Sequence, residues 1–167
     1  PAWTLDEATG EWYLHMFATK QPDLNWQNAD MRAAVYAMMN RWLDRGVDGF
    51  RMDVINFIAK PPASLEPGSA SFVMDPAIHD HLQEMHREVF AHRGDRQLIT
   101  VGEMPGVTVD DAALFTDQGR SELDMVFQFE HVDLDRGPDS KFDNVPLALT
   151  DLKRSLGRWQ EGLAERG

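Results

Sequence analysis

Apolar residues along the chain fall into repeating stripes. Met31, Ala34, Val35, Met38 and Trp42 recur at three- and four-residue steps, the period of a helix that buries one face. This helix is expected to run from Asn28, with Gly46 standing where a helix C-terminal glycine belongs. A second stripe, Ile78, Leu82, Met85 and Val89, is opened by Asp75 as N-cap and Pro76 as first helical residue, and closed by Gly94. Thr108 with Asp111 three positions on is the capping pair of a third helix, and Leu152, Leu156, Trp159 and Leu163 mark a fourth. Between the helices lie the strand-like runs 50–55, 97–103 and 125–129. The first part of the chain differs: the turn signal Glu7-Ala-Thr-Gly10 and the aromatic stretch 12–17 predict a hairpin, followed by the loop-like Gln21-Pro-Asp-Leu-Asn-Trp26. A Pro-rich loop is expected over 60–67.

Strands alternating with helices imply parallel βαβ units, and the right-handed crossover rule then leaves a doubly wound sheet or a (β/α)8 barrel. A complete barrel takes about 250 residues. With three barrel-type strands in 167 residues, the barrel reading makes this chain a partial one.

Composition narrows the function classes. A formal net charge of −12 opposes binding to nucleic acid, because neutralising phosphates needs clustered Lys and Arg. A small neutral substrate fits better. The chain has no cysteine, hence no disulfide or thiolate metal site. It has no apolar run of the roughly 20 residues that span a bilayer, and Pro1-Ala-Trp-Thr4 has neither the basic nor the apolar region of an export signal, so no membrane partner and a cytoplasmic location are expected. Neither metal nor cofactor is expected. Asp133, Asp135, Asp139 and Asp143 fail as a calcium loop, since the turn glycine is replaced by Pro138 and the closing position holds Asn144. His79, His81, His86 and His92 lack the four-residue pairing of a zinc helix and are read as surface histidines.

The chemistry-bearing residues sit at strand ends. Side chains alternate along Gly49-Phe-Arg-Met-Asp-Val54, which puts Phe50 and Met52 on one face and Arg51 and Asp53 on the other. A buried structural ion pair and a functional pair suit such a motif equally, but barrel active sites lie at the C-terminal ends of strands. Glu103 also ends a strand, before the chain turns out at Met104-Pro-Gly106. If the two strands are neighbours, the strand spacing of about 4.8 Å brings the carboxyls about 5 Å apart, the separation of a retaining glycosidase. Such an enzyme needs one ionised carboxylate to attack and one protonated carboxyl to serve the leaving oxygen. Arg51 is expected to keep Asp53 ionised, while Glu103, with no cation in its own motif, is expected to be the proton donor.

Gln21-Pro-Asp-Leu-Asn-Trp26, Gly49-Phe-Arg-Met-Asp-Val-Ile-Asn56, Val101-Gly-Glu-Met-Pro-Gly106 and Phe127-Gln-Phe-Glu-His131, in this order and spacing, resemble the α-amylase superfamily and within it the oligo-1,6-glucosidase branch. The resemblance implies a partial (β/α)8 barrel over 28–167, preceded over 1–27 by the end of a small β-rich inserted subdomain. It also implies that Asp53 is the nucleophile, Glu103 the general acid/base and Arg51 a sugar-binding residue. Phe17 and Gln21 match glucose-pocket positions, although an aromatic in a hairpin is more often core. Val54 matches a position that is Val where α-1,6 bonds are cut and Thr or Ala where α-1,4 bonds are preferred, and it also suits an ordinary strand. Met104 and Glu130 complete the substrate-binding set, Glu130 as a pocket wall or a cap on the barrel edge.

The implied activity is exo-hydrolysis of isomaltose-type oligosaccharides. An α-1,4-glucosidase, a trehalose-6-phosphate hydrolase and a sucrose isomerase share its first steps. A catalytically dead scaffold or transporter subunit is the rival of another class, against which stand the intact Asp53 and Glu103. The family's first motif, its calcium loop and its Asn-His-Asp motif are expected outside residues 1–167.

Overall fold

The computed structural model describes residues 2–60, 74–139, 142–143, 145–164 and 166. The Pro-rich stretch expected over 60–67 therefore lies, past Lys60, outside the described residues. Strands β1 (Trp3–Asp6) and β2 (Glu11–Leu14) pair antiparallel as the expected hairpin. They are followed by helix α1 (Ala29–Asp44), strand β3 (Gly49–Met52), helix α2 (Ala77–Met85), strand β4 (Ile99–Glu103), helix α3 (Val109–Thr116), strand β5 (Met125–Phe127) and helix α4 (Leu149–Leu163). A π-turn over His86–Phe90 extends α2. β3, β4 and β5 form one parallel sheet in that order, so consecutive βα units are neighbours and the sheet is open at both edges among the described residues.

Local chemistry accounts for most of these boundaries. The Asn28 side chain accepts from the backbone N–H of Asp30 and Met31 at 2.9 and 3.2 Å, satisfying two orphan donors at the start of α1. Thr108 and Asp111 form a reciprocal capping box on α3. Asp75 caps α2 by accepting from Ala77 N–H at 2.8 Å. Gly49, with φ +151°, starts β3 where a Cβ would lie 1.9 Å from the Ile99 carbonyl oxygen, a place only glycine can occupy.

The stripe of α2 holds throughout, since Ile78, Leu82, Met85 and Val89 are all buried and pack with Leu43, Met104 and Phe115 in the core. That of α1 is rotated. Tyr36, Met39 and Leu43 face the core, while Ala34, Met38 and Trp42 are exposed. The rotation follows from polar anchors that periodicity ignores. Arg32 and Tyr36 both bond Glu84 of α2, at 2.6 and 3.0 Å, and so orient α1. Burial opposes ionisation of Glu84, but the bonds from Arg32 and Tyr36 outweigh it and hold the carboxyl below its usual range. In α4, Ser155 and Trp159 are buried and Leu156 is exposed, again a shift from the apolar stripe. The histidines of α2 are not simply surface groups: His79 stacks on Phe115 and bonds the buried Glu122 at 2.6 Å, and His81 packs against Trp26.

Candidate active site

The strand register builds the site. Met52 pairs with Gly102 at the last rung of the β3–β4 ladder, so Asp53 and Glu103 stand side by side just beyond it at the C-terminal ends of parallel strands. β3 stops there, three residues earlier than the strand-like run suggests, because Val54 turns into the left-handed region with φ 42° and ψ 44°. Its N–H, redirected by the turn, donates to Glu103 Oε2 at 3.2 Å.

Arg51 bonds both carboxylates, Asp53 through Nη1 and Glu103 through Nη2. The cation that Glu103 lacks in its own motif is thus supplied from the neighbouring strand. Register places Arg51 beside Val101, two residues before Glu103 and on the same face of the strand, and its long side chain spans both strands. Chiefly this guanidinium, and secondly a hydrogen bond with Glu103, hold the Asp53 carboxyl below the usual carboxylate range. The two carboxyls differ in exposure, at 76% for the Asp53 side chain against 17% for Glu103. One is open to solvent and ionised, and the other is sheltered.

Asp53 opens on a cavity of about 350 Å³ lined by Phe17, Gln21, Asp23, Trp26, Val54 and Lys60 among others. The structure thus brings Phe17, Gln21 and Val54 together with Asp53, although they come from the hairpin segment, the following loop and the end of β3. Phe17 is 58% exposed and is not a core aromatic. Beneath it His15 is buried, with Nε2 against Thr4 Oγ1 at 2.8 Å and Nδ1 against the Phe17 carbonyl at 3.2 Å, which fixes the segment that presents Phe17.

Met104 and Glu130 are not brought to this cavity. Met104 is fully buried in the hydrophobic core, and packing is what its side chain does here. Glu130 faces α4, where it accepts from Ser155 Oγ at 2.6 Å and Trp159 Nε1 at 3.1 Å and pairs with Arg158. These partners, Arg158 first, push its carboxyl down to about 2.

Sequence reasoning missed Asp23 and Lys60, which line the cavity and form an ion pair at 2.9 Å. Asp23 also accepts from Met16 N–H at 2.6 Å, bolting the loop onto the hairpin. The signal for Lys60 was its isolation, since no other Lys or Arg occurs between Asp53 and Arg87.

The model of the α-amylase catalytic domain matches residues 1–167. The chain is 57% identical to an oligo-1,6-glucosidase of Halalkalibacterium halodurans, an alignment that covers 99% of this chain and 31% of that protein. Among solved structures, Bacillus licheniformis trehalose-6-phosphate hydrolase superposes with a TM-score of 0.87 at 37% identity, over 99% of this chain and 30% of that one. Trehalulose synthase from Pseudomonas mesoacidophila gives 0.85 at 36%, with 99% and 30% covered. The chain therefore spans about a third of the length of its relatives, and its sheet supplies three neighbouring strands of their fold. By sequence, by fold and by the strand-end arrangement of Arg51, Asp53 and Glu103, the chain belongs to the α-amylase catalytic-domain family.

Proposed function

We propose that this chain is the central part of a retaining, exo-acting α-glucosidase that hydrolyses α-1,6-linked gluco-oligosaccharides of the isomaltose type. The observation that carries the reading is the pair Asp53 and Glu103, adjacent on neighbouring strand ends and bridged by Arg51, with Asp53 open to a cavity that Phe17, Gln21 and Val54 line. Asp53, kept ionised by Arg51, attacks the anomeric carbon while Glu103 gives its proton to the departing glycosidic oxygen. The resulting glucosyl ester is cleaved by water, whose proton returns to Glu103. The 57% identity to an oligo-1,6-glucosidase and the valine at position 54 support the α-1,6 linkage over the α-1,4. Residues 1–27 belong to the inserted subdomain and contribute the glucose-pocket side chains, and 28–167 belong to the barrel. The enzyme acts in the cytoplasm, a reading that suits a chain in which no described helix is long and apolar enough to cross a membrane.

Stereochemistry tests the mechanism: the full-length enzyme is expected to release α-glucose first, followed by NMR, and an inverted product contradicts it. Residues 1–167 made alone are expected neither to melt cooperatively nor to hydrolyse p-nitrophenyl α-glucoside. The sheet has two open edges, and Met38, Trp42, Met125 and Phe127 are exposed where neighbours would cover them, so too little surface is buried to offset chain entropy. A sharp thermal melt with Glu103-dependent turnover would overturn that reading.

A further inference from the structure

Asp53 and Glu103 lie past the last rung of the β3–β4 ladder, so that ladder does not tie together the residues that follow them, although Met104 N–H still donates to the Phe127 carbonyl on the β5 side at 3.0 Å. Two bonds between the departing loops do so. One is the bond from Val54 N–H to Glu103 Oε2. The other runs from Asn56 Nδ2 to the Pro105 carbonyl at 3.0 Å, two residues further along each loop. Asn56 is 3% exposed, in the single helical turn Ile55–Phe57 that follows Val54, and its Oδ1 has no partner among the described residues. A buried amide with one unsatisfied oxygen is costly, and it is retained where its other end does something no apolar side chain can do. Val54 adds a second cost: a β-branched residue in the left-handed region is strained, and such strain persists only where the surroundings over-determine it.

Resting on the glucosidase reading above, we propose that Asn56 is a positioning residue, whose bond to Pro105 locks the left-handed turn at Val54 and so fixes Glu103 relative to Asp53. Asn56 touches neither carboxylate. It pins the loop after Asp53 to the loop after Glu103, and the turn between these fixed points aims the Val54 N–H at Glu103. The bond requires a donor at position 56, because the Pro105 carbonyl can only accept. Asn56→Asp keeps the shape, removes that donor and sets an acceptor against the carbonyl, and Asn56→Ala removes the bond outright.

The test uses the full-length enzyme with isomaltose as substrate. In Asn56→Asp and Asn56→Ala, kcat is expected to fall about a hundredfold, the cost of displacing catalytic groups by about 1 Å, while KM stays within about twofold. The pH profile of kcat/KM is expected to move by about half a unit or more, because it reports the two carboxyls whose spacing has changed. A profile that superposes on that of the parent enzyme, with the loss confined to melting temperature or to the fraction of active enzyme, assigns Asn56 a purely structural role and overturns the proposal. If Asn56→Ala does not fold, Asn56→Ser, which keeps a donor too short to reach, takes its place. Crystal structures of the variants give a readout independent of activity: loss of the bond between Val54 N–H and Glu103 is expected, and its persistence overturns the proposal. Failure of the parent enzyme to cleave any glucoside would instead remove the glucosidase reading, and the crystal structures would still decide the role of Asn56.

Discussion

Asp53 and Glu130 are both acids just beyond a parallel strand, one residue past β3 and three past β5, yet the fold puts them to opposite uses. Asp53 is three-quarters exposed, and its neighbours Arg51 and Glu103 belong to the strand ends themselves. Glu130 has turned to the following helix, where a guanidinium, a hydroxyl and an indole N–H converge on its carboxylate. Both carboxyls are held ionised, Glu130 down to about 2, but only Asp53 offers its charge to a cavity. A depressed pKa alone does not separate a candidate nucleophile from a structural anchor. What separates them is where the partners come from and whether an open face remains.

The comparison breaks most readily by exchanging the expected effects of two truncations. In the full-length enzyme, Asp53→Ala is expected to lower kcat on the order of 10⁴-fold or more. Its unfolding free energy should stay within about 0.5 kcal/mol of the parent, as for an exposed side chain without structural duty. Steady-state kinetics with thermal melting measures both, and retained turnover would remove Asp53 from the mechanism.

Val54→Thr probes the cavity side of the same strand end. It is expected to shift the isomaltose-to-maltose ratio of kcat/KM toward maltose by about 1–3 kcal/mol, roughly ten- to two-hundredfold. An unchanged ratio would leave Val54 a part of the turn alone.

Glu130→Ala is expected to do the reverse of Asp53→Ala. Loss of its bonds to Arg158, Ser155 and Trp159 should cost about 1–3 kcal/mol of stability, seen as a lower melting temperature, with kcat nearly unchanged. A collapse of kcat at full stability would return Glu130 to the pocket wall.

The smallest effect is a pH dependence. Because the folded-state pKa of Glu130 lies at about 2, below its ordinary value of 4.5, its contribution to stability is fully present above about pH 4.5 and is lost as pH falls toward 2. The stability gap between the parent and Glu130→Gln should therefore be constant at neutral pH and close through that acidic window. A gap that widens on acidification would show that the α4 anchor does not depend on the ionised carboxylate.

Where an element is specified by neighbouring residues, the sequence alone was enough. The hairpin around Glu7-Ala-Thr-Gly10, the start of α1 at Asn28, the cap at Thr108, the α2 stripe and the order of the parallel strands could all be read from spacing and residue type. The adjacency of Asp53 and Glu103 also followed, because consecutive βα units pair side by side. Tertiary contacts decided the rest. α1 rolls to Tyr36, Met39 and Leu43 because Arg32 and Tyr36 must reach Glu84, about fifty residues away, and no local pattern records that demand. Arg51 serves two carboxylates because register sets a neighbouring strand within its reach, and β3 ends at Met52 because the turn at Val54 answers to Glu103. Met104 and Glu130 follow the same logic, since a side chain beside a strand end has two places to go. Burial claims the methionine, the partners on α4 claim the glutamate, and both were settled only when the helices closed on the sheet. Local propensity acts over the few residues that a turn or cap spans, whereas side-chain placement depends on groups that only folding brings together.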